Sequence, residues 1–173
     1  MVEPVPRGVV LDTSVILNVI ATDIPGELLS ALGAPTFVPR NAHREVLRDP
    51  RGRHTPAEIL DPIIAAGILT IVDLEAEEPA TFLELVSASQ PDDLDDGEAA
   101  VIACAHHRGL AVAIDETKAL RIIRARFPSI RHFFTVDLFG LAKTAGVAAA
   151  VVQQAYDDAR KFARMRVPKT RPV

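Results

Sequence analysis

Cysteine is nearly absent from this chain of 173 residues. The single Cys104 excludes an internal disulfide and a cysteine-built zinc site, and it suits a reducing compartment. Tryptophan is missing and Tyr156 is the one tyrosine, so an aromatic platform for stacking bases is not expected. A basic excess is missing too. Nineteen Lys and Arg stand against 23 Asp and Glu, a formal net charge of −4. That argues against a protein coating nucleic acid through general basicity, and leaves room for a local basic patch. Asp12, Asn18 and Asp115 interrupt the most apolar stretches, so no run of about 20 apolar residues is there to span a bilayer. Glu3 and Pro4 occupy the place where a secretory leader would carry basic residues, and a cytoplasmic location is the expectation. The Gly-x-Ser-x-Gly elbow, the Gly-Lys-Ser phosphate loop and the Gly-x-Gly-x-x-Gly turn are also lacking, which removes support for acyl transfer, P-loop hydrolysis and dinucleotide binding. None of His43, His54, His106, His107 and His132 has a partner at zinc-site spacing.

What is present is globular: 49% hydrophobic and 24% charged residues, in a length that one core can serve. Val9 to Leu11 reads as a short strand ending at Asp12, and Val15, Ile16, Val19 and Ile20 then recur at helical spacing. A second strand is expected at Thr36–Val38, closed by Pro39, with a helix from Arg40 to Leu47. Pro56 opens a helix that stops near Gly67, Thr70 to Leu74 is a third strand, and Pro79 starts a helix through Leu85. Ala99 to Ala105 is apolar on nearly every side and predicts a buried helix ended by Gly109. Leu110 to Ile114 reads as a strand covered on both faces. Helices from Lys118 to Phe127, Leu138 to Thr144 and Ala148 to Met165 are expected, with a fifth strand at His132–Val136. Alternation of this kind predicts a three-layer α/β/α sandwich, one domain around a mainly parallel sheet of about five strands. Ligands collect at the carboxyl edge of such sheets. Asp12 and Asp115 each close a strand, so both are expected at that edge.

Each acid also has an ordinary role open to it. Asp12 and Asp115 can cap the helices that follow them. Asp95 and Glu98 stand at capping-box spacing, with Asp96 competing for the cap. Glu45, between Arg44 and Val46 in an expected helix, can simply be solvated. Together the acids suggest more, because clustered carboxylates raise one another's pKa unless a cation neutralises them. Magnesium or manganese suits an all-carboxylate set.

The order Val9-Val10-Leu11-Asp12-Thr13-Ser14, then Glu45, then Asp96-Gly97-Glu98-Ala99-Ala100, then Ala113-Ile114-Asp115-Glu116 resembles the PIN-domain nucleases over essentially the whole chain. Asp115 lies 17 positions after Glu98, matching that family's third-to-fourth acidic spacing, and Gly-Glu-Ala resembles one subgroup's third motif. The resemblance implies Mg2+- or Mn2+-dependent hydrolysis of RNA, with Asp12, Glu45, Glu98 and Asp115 as catalytic and metal-holding residues. It implies a supporting role for Ser14, and Glu116 or Asp96 as an additional acid. Glu98 or Asp96 can fill the third position. Glu98 is favoured because it falls one turn into the buried helix. Many small relatives are VapC-like toxins with a partner antitoxin, and many are homodimers, so both partners are expectations here. A catalytically silent interaction module with the same fold is the alternative. A phosphatase with a nucleophilic Asp12 is disfavoured, because Ser14 stands where a second acid is wanted.

Charge is unevenly distributed. From Asp73 to Glu98 there are ten acids and no Lys or Arg, whereas Arg160, Lys161, Arg164, Arg166, Lys169 and Arg171 follow Ala159 with no acid. The basic end reads as a solvated terminus or as a phosphate-binding arm. Lys118 and Arg121, three apart on one helix face, are the preferred substrate contacts.

Overall fold

A computed structural model of the chain describes residues 6–167. Strand β1 (Val9–Leu11) leads to α1 (Thr13–Ile20) and α2 (Pro25–Ser30). Then come β2 (Thr36–Pro39), α3 (Arg40–Arg44), α4 (Pro56–Ala65), β3 (Leu69–Val72) and α5 (Glu78–Val86). The long α6 (Asp96–Arg108) precedes β4 (Ala111–Ala113), α7 (Thr117–Arg126), β5 (His132–Phe133), α8 (Thr135–Thr144) and α9 (Ala149–Phe162).

The five strands form one all-parallel sheet in the order β3-β2-β1-β4-β5. Every residue of β1 and β4 is buried, as strands covered on both faces must be. The expected α/β sandwich is therefore present. Helix α6 is buried from Ala99 through Cys104 to Ala105 and packs across β1, β2 and β4, with α5 and α3 against it. Gly109 ends it in the left-handed conformation, φ 63°, which costs glycine least.

Several boundaries differ from the sequence expectation. Helix α2 has no counterpart in the sequence expectation; Pro25 sits in its first turn, where it needs no N–H donor. Helix α3 ends at Arg44 rather than Leu47, so Glu45 is not inside a helix but caps its end. Bonds from Glu45 N–H to Ala42 O and from Val46 N–H to His43 O tighten this last turn. The fifth strand is cut to two residues because Thr135 already begins α8.

The topology positions the site. The chain steps outward from β1 to β2 and β3, then returns to β4 on the other side of β1. Such a reversal opens a crevice at the carboxyl ends of the two central strands. Among the described residues, no helix is long and apolar enough to cross a membrane.

Candidate active site

Asp12 extends β1 by one residue, its N–H donating to Ala113 O of β4 at 3.0 Å. It also caps α1: Oδ2 accepts from the Ser14 N–H at 3.1 Å and from Ser14 Oγ at 2.6 Å. Capping and a place at the sheet edge thus coincide in one residue. Burial raises the pKa of Asp12 more than the Ser14 bonds lower it, and the charge of Glu45 raises it further.

Asp115 follows β4 at the same edge. It does not cap α7, a role taken by Glu116, whose Oε1 faces the Lys118 N–H at 3.4 Å. Asp115 instead meets the start of α8. Oδ1 accepts from the Thr135 N–H at 2.8 Å, while Oδ2 accepts from Thr135 Oγ1 at 2.5 Å and from Asn18 Nδ2 at 3.0 Å. Asn18 also donates to Thr135 Oγ1 at 3.1 Å. Burial raises the pKa of Asp115 against these bonds, and Asp137 adds to the rise.

Glu45 is held at both oxygens by elements remote in sequence. Oε2 accepts from Thr13 Oγ1 at 2.7 Å and Oε1 from the Gly97 N–H at 2.9 Å. Glu98, the residue after Gly97, is half-buried and turns Oε2 toward the Asp95 N–H at 3.4 Å. Asp95 is the cap residue of α6, and Asp96 is exposed at its first position. Burial, then the charge of Asp12, with further contributions from Asp95 and Glu116, push the Glu98 carboxyl up to about 7 against the Asp95 N–H bond.

The edge therefore gathers acids whose strongest charged neighbours are other acids. In charge and donor type, Asp12, Glu45, Glu98 and Asp115 fit a divalent cation. As the side chains stand, no three His, Cys, Asp or Glu among the described residues are close enough together to hold one. Glu45 is turned to Thr13 and Gly97, Glu98 to Asp95, and Asp115 to Thr135 and Asn18.

Lys118 and Arg121 are engaged by the acidic loop before α6. Lys118 Nζ lies 3.9 Å from Asp93, and Arg121 pairs with Asp92 at 2.6 Å and donates to Pro91 O at 3.1 Å. The acidic stretch is neutralised by later basic residues in the same way at Glu84 with Arg126 and at Glu78 with Arg108. Of the basic end, Lys169 and Arg171 lie outside the described residues. Sequence reasoning missed Thr13, Asn18, Gly97 and Thr135. Asn18 carried a signal, a polar residue amid Val15, Ile16, Val19 and Ile20 on a buried helix. Thr135 carried none.

A family model described as a PIN domain matches residues 8–170. No curated protein gave a match.

Proposed function

The chain belongs to the PIN-domain family, whose members are generally nucleases, and from that premise we propose that it is an Mg2+- or Mn2+-dependent ribonuclease. The observation that carries the reading is Glu98. It is a half-buried carboxyl at the switch point, pushed up to about 7 by burial first and by the charge of Asp12 second, and a cation bound beside it would relieve that repulsion.

Asp12, Glu45, Glu98 and Asp115 would hold the ion. Bound there, it supplies Lewis-acid polarisation of the phosphodiester and a water acidic enough to attack it. The chain's own residues do the rest. Ser14 Oγ fixes the Asp12 carboxylate. Asn18 and Thr135 fix Asp115, and Thr13 fixes Glu45. Lys118 and Arg121 neutralise substrate phosphates. The water's hydroxyl goes to phosphorus and its proton ends on the departing 3′ oxygen, with Glu98 among the carboxylates that would hold the ion. Attack by water leaves a 5′-phosphate and a 3′-hydroxyl with no covalent enzyme intermediate. Asp96 and Glu116 flank the edge as supporting acids.

A protein antitoxin and a second copy of the chain are the partners this reading proposes, in a cytoplasmic setting. A catalytically silent interaction module is the second reading. It is favoured by the one finding that no three described acids are gathered tightly enough to hold an ion. Manganese titration decides. Thermal stabilisation by Mn2+ in the wild type, lost in Asp12→Asn and Asp115→Asn together with cleavage of single-stranded RNA, supports the nuclease. No stabilisation and no cleavage supports the module.

A further inference from the structure

Gly97 sits at the second position of α6, buried, in a helical conformation. Its backbone does not call for glycine, and alanine would favour the helix by about 1 kcal/mol. The reason for glycine is spatial. A Cβ there would stand 2.5 Å from Glu45 Oε2 and 2.9 Å from both Glu45 Cδ and Oε1. The carboxylate of Glu45 occupies the volume that any other side chain at 97 would need.

The contact also carries hydrogen bonds. The Gly97 N–H is one of the first helical donors, which lack an intrahelical acceptor. Glu45 Oε1 accepts from it at 2.9 Å across 52 residues of sequence. The positive end of α6 favours a carboxylate at that place. The other oxygen accepts from Thr13 Oγ1 at 2.7 Å, and the same single proton is shared with Ala42 O at 3.1 Å in the last turn before Glu45. Three elements, α1, α3 and α6, thus close around one carboxylate.

We propose that Gly97 is a positioning residue, and that its missing side chain is the seat that holds the Glu45 carboxylate against Thr13 at the acidic edge. The functional weight of this seat rests on the nuclease reading, in which Glu45 holds the cation. The seat itself does not rest on it.

The test is a cycle of Gly97→Ala, Glu45→Ala, Glu45→Asp and their combinations in the full chain, read by thermal unfolding with and without Mn2+. Gly97→Ala expels the carboxylate, so the Mn2+ concentration for half-maximal stabilisation rises about tenfold or more, the size expected when a ligand loses its support. Glu45→Asp withdraws the carboxylate by one methylene, so Gly97→Ala/Glu45→Asp responds to Mn2+ better than Gly97→Ala alone. In the metal-free protein, Gly97→Ala lowers the melting temperature when Glu45 is intact, and raises or preserves it when combined with Glu45→Ala. A role confined to the helix would be blind to what stands at position 45. Equal effects of Gly97→Ala with and without the Glu45→Ala substitution overturn the proposal. If the wild type gains no stability from Mn2+, the nuclease reading fails by itself, and the metal-free cycle still decides the seat.

Discussion

Replacing Glu98 by Gln should make the metal-free protein more stable at alkaline pH, against the usual result of changing a half-buried residue. The Glu98 carboxyl moves from an ordinary value of 4.5 to about 7 on folding. With the proton held more tightly in the folded state, this group's contribution to stability falls as pH rises from about 4.5, and stops falling above about 7. At 1.36 kcal/mol for each tenfold change in proton affinity, the full shift would cost ~3 kcal/mol at pH 8.5. Solvent screening at a half-buried carboxylate reduces that to ~2 kcal/mol. Gln removes the charge and keeps an oxygen able to accept from the Asp95 N–H. At about 2 to 4 °C per kcal/mol for a chain of this length, the variant should melt roughly 4 to 8 °C above wild type at pH 8.5. The difference should vanish near pH 4, where wild-type Glu98 is largely neutral in both states. Added Mn2+ should reverse the order at pH 8.5, because the ion stabilises the charged carboxylate and Gln has none. Thermal unfolding at pH 4, 6 and 8.5, with EDTA or Mn2+, measures all of this. A Glu98→Gln protein no more stable than wild type at pH 8.5 in EDTA would refute the argument that Glu98 is charged, half-buried and uncompensated.

Glu78 is 3% exposed and bidentate with Arg108, at 2.6 and 2.8 Å. Burial would raise its pKa, but Arg108 and the Glu75 N–H outweigh burial and lower it. The pair's contribution is therefore full above the ordinary Glu value and lost as pH falls through the lowered one. Arg108→Ala strands the buried charge and should cost about 3 kcal/mol in urea unfolding at pH 7, with the loss shrinking toward pH 4. Asp92 and Asp93 form exposed pairs with Arg121 and Lys118, worth about 0–1 kcal/mol each. Asp92→Asn/Asp93→Asn should therefore leave stability almost unchanged while tightening binding of single-stranded RNA in EDTA. It should also steepen the salt dependence by about one for each freed cation, read by fluorescence anisotropy. Thr135→Val keeps the volume and removes the hydroxyl that bonds Asp115. It should weaken Mn2+ stabilisation about 10- to 100-fold, and an unchanged Mn2+ titration would show that Asp115 needs no such support.

The local signals that were legible are those that act over a few residues. Val9–Leu11 and the run before Asp115 are short, apolar and closed by an acid. Ala99–Ala105 has no polar face, and Gly109 follows it. These patterns place the two aspartates at strand ends, and the alternation of elements makes the strands parallel, so a shared edge for Asp12 and Asp115 follows from sequence alone. The features hidden from sequence are those set by partners distant along the chain. Helix α3 stops at Arg44, and the Glu45 beyond it is tied to Thr13 and to Gly97, 52 residues on. Thr135 opens α8, and its N–H and hydroxyl both turn to Asp115, 20 residues back in the chain.

Sequence by itself therefore determined the fold class, the buried helix and the two aspartates at one edge, since hydrophobic periodicity and helix-stop chemistry are local. Only the tertiary structure decided which way each carboxylate turns. A hydrogen bond and a missing Cβ act across a few ångströms, whatever the separation in the chain. Thus Gly97, which in the string of residues is merely the neighbour of Glu98, becomes in space the neighbour of Glu45.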